Sequence, residues 1–182
     1  MRRTPHWLAT RGCIVIAAGA TAAVCAVAGC SSDARREDTA AVTNLRFASA
    51  PIRVVTRTDT IPLVVELAVS GEQKSTGLME RRQLADTAGM LFVYDSLQPE
   101  DAGFWMYRTR IPLDIAYADA AGRIRAIRHM VPCETAIPEG CPTYPPDVPY
   151  QYVLEVNGGL FARRGIAVGD SIAMGAVVRT DR

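Results

Sequence analysis

The sequence is short of the side chains on which most polar chemistry depends. Its 182 residues include two His, His6 and His129, and five Cys. A zinc site would need more His or Cys than His129 can add to the cysteines available. No pair of cysteines has C-x-x-C spacing, which argues against a thioredoxin-like redox motif. There is no nucleophile elbow and no phosphate-cradling glycine loop. Charge of neither sign dominates, with 20 Lys and Arg against 19 Asp and Glu for a formal net charge of +1. Such a balance lacks the electrostatic footprint of a nucleic-acid surface. Aromatic residues make up only 7% of the chain, with two Trp, and no internal repeat is visible.

The amino terminus is distinctive. Arg2, Arg3 and Arg11 precede an apolar run from Cys13 to Ala28 that ends in Val27-Ala28-Gly29-Cys30. Positive charge, a short apolar core and small residues at its end are the order of a secretory signal. The run is too short and too rich in Ala for a membrane span, which needs roughly 20 apolar residues. Val-Ala-Gly-Cys resembles the lipobox of bacterial lipoproteins. That resemblance implies cleavage before Cys30, a diacylglycerol on its thiol and a membrane partner through that lipid. More than one acyl chain makes such anchoring stable. Ser31 and Ser32 follow Cys30 without an Asp, which resembles outer-membrane sorting if the source is a diderm bacterium. Removal of residues 1–29 leaves 153 residues, about one domain. It also removes Arg2, Arg3 and Arg11, so 17 basic residues face 19 acidic ones and the formal charge becomes −2.

The expected organisation is a signal peptide over 1–29, a lipidated Cys30 with a polar tether to 44, and one β-rich domain over 45–182. Cys133 and Cys141 bracket a loop with Pro138 and Gly140, and in an oxidising compartment they are expected to form a disulfide. Ile52 to Thr58 reads as a strand. Ile61, Leu63, Val65, Leu67 and Val69 alternate on one face of a second. Glu66 is the lone charge on its other face, a surface side chain or a partner for an Arg. Ser70 and Gln73 fit a capping box opening a helix to about Arg82. Gly77 within that helix implies close packing, with Leu78 and Met79 toward the core. Gly89 to Tyr94, Phe104 to Arg108, Leu113 to Ala118 and Ile124 to Met130 read as further strands. Arg123, Arg125 and Arg128 blur the alternation of the last. Pro132 to Pro149 is a stapled loop. Tyr150 to Val156 is a strand, Leu160 to Arg164 a helical turn ending at Gly165, and Ser171 to Arg179 a final strand. Many short strands and one or two short helices indicate a β-sandwich or barrel.

Five blocks then carry a resemblance. They are Gly77-Leu78-Met79-Glu80-Arg81, Gly89-Met90-Leu91-Phe92-Val93, Phe104-Trp105-Met106, Ile111-Pro112-Leu113-Asp114-Ile115 and Val153-Leu154-Glu155-Val156. In this order they resemble the bacterial and archaeal domain-of-unknown-function family 192, over roughly residues 52–175. The resemblance implies a mainly β, jelly-roll-like sandwich with a short helix, and no established activity. One departure is that the family's usual Trp-Met-Lys-Asn-Thr reads Trp105-Met106-Tyr107-Arg108-Thr109, which places a cation where the family has an amide.

The candidate site residues are Arg81, Trp105, Asp114 and Glu155, with Met79 and Met106 beside them. An aromatic platform with carboxylates and an Arg suits a sugar or a small polar ligand. Asp114 and Glu155 as an acid and base would suit glycosidic hydrolysis, which needs the carboxyls about 5–10 Å apart. The bland alternative is an ion pair of Arg81 with Asp114 or Glu66 next to a core Trp. Met79, Met90, Met106 and Met130 with His129 have the softness that Cu(I) prefers, but Met is also an ordinary filler of cores. No cofactor and no metal is expected. Three readings follow: a non-enzymatic small-ligand or glycan module of the cell envelope, a hydrolase of envelope glycan, and a structural partner of another envelope protein.

Overall fold

A computed structural model describes residues 45–175. The signal, Cys30 and the tether lie outside the described residues. Nine strands and two short helices run in the order β1 (Ala48–Val55), β2 (Thr60–Ala68), α1 (Gly71–Thr76), β3 (Ala88–Gln98), β4 (Phe104–Trp105), β5 (Leu113–Ala118), β6 (Ile124–Met130), β7 (Thr143–Tyr144), β8 (Tyr150–Asn157), α2 (Leu160–Arg164) and β9 (Ser171–Met174).

Seven strands form one sheet in the order β6-β5-β8-β3-β2-β1-β9, and β4 pairs with β7 as a separate ribbon. All pairings in the large sheet are antiparallel except β2 with β3, whose connection carries α1. The sheet curls until its ends meet. Ile172 N–H donates to the Gly122 carbonyl at 2.7 Å, and Ile124 N–H to the Asp170 carbonyl at 2.8 Å. The fold is therefore mainly β and barrel-like, as the strand pattern predicts.

Alternation in the strands builds two cores, one on each face of this sheet. Ile52 and Val54 of β1, Ile61, Leu63, Val65 and Leu67 of β2, Leu91, Tyr152, Leu154, Val156 and Ile172 fill the interior with Leu160 and Phe161 of α2. Met90, Phe92, Leu113, Ile115, Tyr117 and Val153 project from the other face, where Leu78, Met106 and Phe104 cover them. Every residue of β5 is buried because both of its faces are covered.

Several boundaries differ from expectation for local reasons. β1 ends at Val55 because the Thr56 hydroxyl accepts from Asp59 N–H at 2.9 Å and turns the chain. The capping box at Ser70 forms, with Ser70 and Gln73 each satisfying the other's backbone N–H. The helix then stops at Thr76, not Arg82, because Gly77 takes φ +48° and seats its backbone against the Phe92 ring. Arg81 and Arg82 therefore lie beyond the helix. β4 stops at Trp105 because Thr109 N–H bonds back to Met106 and Arg108 takes φ +56°. In β6 a bulge between the Tyr117–Ala126 and Ala118–Ile124 pairs switches faces, so Ile124 fills the interior while Ala126 and Met130 join the outer core. That switch is why Ile124 to Met130 shows no clean alternation. β9 is described to Met174, and the expected continuation from 176 lies outside the described residues.

Candidate functional site

The register across the outer face of the sheet places one row of side chains in line: Glu66 on β2, Met90 on β3, Glu155 on β8, Ile115 on β5 and Arg128 on β6. Neighbouring strands are about 4.8 Å apart, so Glu66 and Glu155 are separated by roughly 10 Å. The charged ends of this row turn outward. Glu66 accepts from Arg81 at 2.6 Å, and Arg128 donates to Asp147 at 2.7 Å. Glu155, in the middle, is left at 4% exposure with no donor to its carboxyl among the described residues. Burial without a partner pushes its pKa up to about 8.

Above Glu155 opens a cleft of about 510 Å³, within the usual range for small-molecule sites. Phe92 and Tyr94 of β3 form one wall, Leu78 and Met79 after α1 a second, and Phe104 and Trp105 of β4 a third. Phe104 packs edge-on against Phe92 with ring centroids 4.9 Å apart, which fixes the inner aromatic surface. Trp105 is 43% exposed at the mouth, tilted 6.4 Å from the Tyr107 ring. Lys74, the only lysine in the sequence, sets its ammonium 4.5 Å from the Tyr94 ring centroid. Its pKa is lowered, chiefly by desolvation and against the opposing field of Asp95. Ser75, Thr76, Tyr107, Thr109, Thr143 and Asp101 supply the other polar groups of the lining.

The structure gathers three of the six candidate residues at this cleft, Glu155, Trp105 and Met79. Met106 is fully buried behind them in the outer core. Arg81 is occupied with Glu66, the bland pairing the sequence allows. Asp114 points the other way. It pairs with Val156 in the register, one residue from Glu155, so its side chain leaves the opposite face. There its Oδ2 accepts from Phe161 N–H at 3.0 Å and its Oδ1 lies 2.8 Å from His129 Nδ1. Asp114 and Glu155 cannot flank one glycosidic bond, so the acid and base pair read from the sequence is not formed. The copper grouping does not assemble either, because His129 leaves the face opposite Met90 and Met130. Among the described residues no three His, Cys, Asp or Glu side chains cluster as metal ligands. Cys133 and Cys141 form the expected disulfide, with Cα atoms 5.7 Å apart.

Arg108 does not reach the cleft lining. It donates to Glu80 Oε1 at 2.7 Å while Arg110 holds Oε2, and this double ion pair lowers the Glu80 pKa. The exchange of an amide for a cation at Arg108 thus changes an ion cluster next to the cleft. Lys74, Tyr94 and Asp101 were not among the sequence candidates. Only the scarcity of Lys singles out the first, and nothing local marks the other two.

These features define a curled β-sheet domain with one aromatic cleft over a buried carboxyl. The model of domain-of-unknown-function family 192, DUF192, described as an uncharacterized ACR, matches residues 53–174, and the chain belongs to that family. No curated protein matches the chain. Among solved structures, a protein from Sinorhizobium meliloti 1021, provisionally described as a transcription regulator, is 35% identical with a TM-score of 0.65. The match covers 72% of this chain and 97% of that one. A protein of unknown function from Novosphingobium aromaticivorans DSM 12444 is 33% identical with a TM-score of 0.58, covering 72% of this chain and 95% of its own.

Proposed function

We propose that this protein is a lipid-anchored module of the cell envelope that binds a small organic ligand in the cleft above Glu155, without turning it over. The observation that carries the reading is Glu155 itself. A carboxyl this buried and unpartnered destabilises the fold, and a site that keeps one under five aromatic rings is suited to a ligand that supplies the missing partner. The anchor rests on the signal-like amino terminus and the lipobox ending in Cys30. The paired-carboxylate hydrolase loses its support with the opposite orientation of Asp114. Charge lends no support to the regulator description of the Sinorhizobium protein, because residues 30–182 carry a formal charge of −2, with no excess of basic groups to track a phosphate backbone.

The test is a thermal-shift screen of the full chain in detergent against glycan fragments, amino acids, amines and metal ions. A ligand at 100 times its dissociation constant adds about 2.7 kcal/mol, a few degrees for a domain of this size. A shift that Trp105→Ala removes supports the reading. No shift with any class sinks it and favours a protein partner over Trp105. Incorporation of an alkynyl fatty acid, lost in Cys30→Ser, tests the anchor.

A further inference from the structure

We infer that the ligand of this cleft is an organic cation, an alkylammonium head held over Glu155 by the faces of Phe92, Tyr94, Phe104 and Trp105. The inference rests on the small-ligand reading above and names its chemical class. Three observations carry it. Glu155 at the base of the cleft is 4% exposed, and its carboxyl has no hydrogen-bond partner among the described residues. The cleft lining brings the rings of Phe92, Tyr94, Phe104 and Trp105 and the Met79 thioether beside that carboxyl, a surround that attracts a soft cation. And one ammonium of the chain already uses this chemistry, since Lys74 lies against the Tyr94 ring at 4.5 Å.

The charge balance of the lining agrees. Asp101 and Glu155 are its carboxylates and Lys74 its one cation, and Lys74 has Asp95 beside it. No Arg is in the lining: Arg81 is held by Glu66, Arg110 by Glu80 and Arg128 by Asp147. An anionic ligand would find only Lys74 among the lining side chains to balance its charge. A metal ion would find two carboxylates and no clustered third ligand among the described residues.

The inference has a protonic signature. Glu155 is mostly protonated at pH 7, because burial holds it near 8. A cation in contact with it favours the carboxylate, so binding expels a proton into solvent. The titratable groups around Glu155 are Tyr94 on β3, Tyr117 on β5, Tyr150 on β8, Lys74 on α1, and Asp101 and Tyr107 in the loops flanking β4. Burial raises Tyr94, Tyr117 and Tyr150 above the ordinary tyrosine value, so these phenols stay neutral across the range.

Titration of the full chain in detergent with choline and with its neutral isostere 3,3-dimethylbutan-1-ol, read by calorimetry and Trp fluorescence, tests this. Choline should bind at least tenfold tighter than the alcohol. Its affinity should rise about tenfold per pH unit from 6 toward 8 and level off above. Calorimetry in two buffers of different ionisation enthalpy should show close to one proton released at pH 7. Glu155→Gln, which keeps the side chain's shape, should abolish both the preference and the proton release, and Trp105→Ala should weaken binding with the proton release retained. Equal binding of the alcohol or of cellobiose, or affinity that falls as pH rises, overturns the cation while leaving the cleft as a small-ligand site. Silence of choline, butylammonium, the alcohol and cellobiose alike overturns both.

Discussion

Asp114 and Glu155 sit on neighbouring strands, one register step apart, and point to opposite faces of the same sheet. Their environments differ accordingly. Asp114 is wired, accepting Phe161 N–H and contacting His129, and it fixes α2 where that helix plugs the interior. Glu155 is bare. One carboxylate therefore serves the fold, and the other is left for the cleft.

Asp114→Ala should lower stability by about 2 kcal/mol or more, because Phe161 N–H is then buried without an acceptor. It should leave cleft binding unchanged within twofold. Chemical denaturation and the choline titration, run on the same variant, separate the two effects. A variant as stable as the parent would show that water or His129 satisfies that amide instead.

Stability should fall as pH rises from about 4.5 to 8, through the contribution of Glu155 alone. Its carboxyl has an ordinary value of 4.5 and a folded value of about 8. Between the two, the folded state binds more protons than the unfolded state, so the slope of stability with pH is negative. The contribution is fully present below the unfolded value, lost through the folded one, and flat above it. Its size is on the order of 5 kcal/mol. Since other groups titrate too, the quantity to measure is the difference between wild type and Glu155→Gln across pH 5 to 9. The Gln variant should become the more stable of the two toward pH 9, and parallel curves would mean that Glu155 is solvated or paired.

Strands were legible wherever one face is buried by regular alternation, as in Ile61 to Leu67. They were illegible where a bulge or a positive φ intervened, as at Arg125 and Arg108, because a change of face leaves no mark in the spacing. The site was half legible for the same reason. Trp105 and Glu155 stood out as rare or charged residues in apolar strands. Period two alone cannot say which way Asp114 points relative to Glu155, since that depends on the register between β5 and β8. Lys74, Tyr94 and Asp101 come from three separate segments that only the tertiary fold brings to one cleft.

Gly122 closes the barrel. Its φ is +82°, and a Cβ there would lie 2.5 Å from the Ile172 carbonyl oxygen, at the seam where Ile172 N–H meets the Gly122 carbonyl. Gly122→Ala should cost at least about 2 kcal/mol from strain and from the seam's displacement. Hydrogen exchange should accelerate first at Ile172 and Ile124, whose amides make that seam. Uniform acceleration across all strands would instead show that the seam opens only with global unfolding.

The disulfide should matter to the cleft as well as to the fold. Cys133 and Cys141 staple the segment that leads into β7, and β7 is the only strand paired with β4 among the described residues. β4 carries Phe104 and Trp105, and Thr143 of β7 lines the cleft beside them. Tyr107 also bridges to Cys133. Closing so short a loop stabilises by roughly 2–3 kcal/mol, so replacing both cysteines with Ser should lower stability by about that much. If the staple acts only on the unfolded chain, binding in the cleft stays intact. If it also holds the β4–β7 ribbon over Glu155, the double variant binds more weakly while still folded, and Trp105 fluorescence shifts to the red. The ribbon has only two paired residues per strand, too few to stand alone, so the second outcome is the one expected.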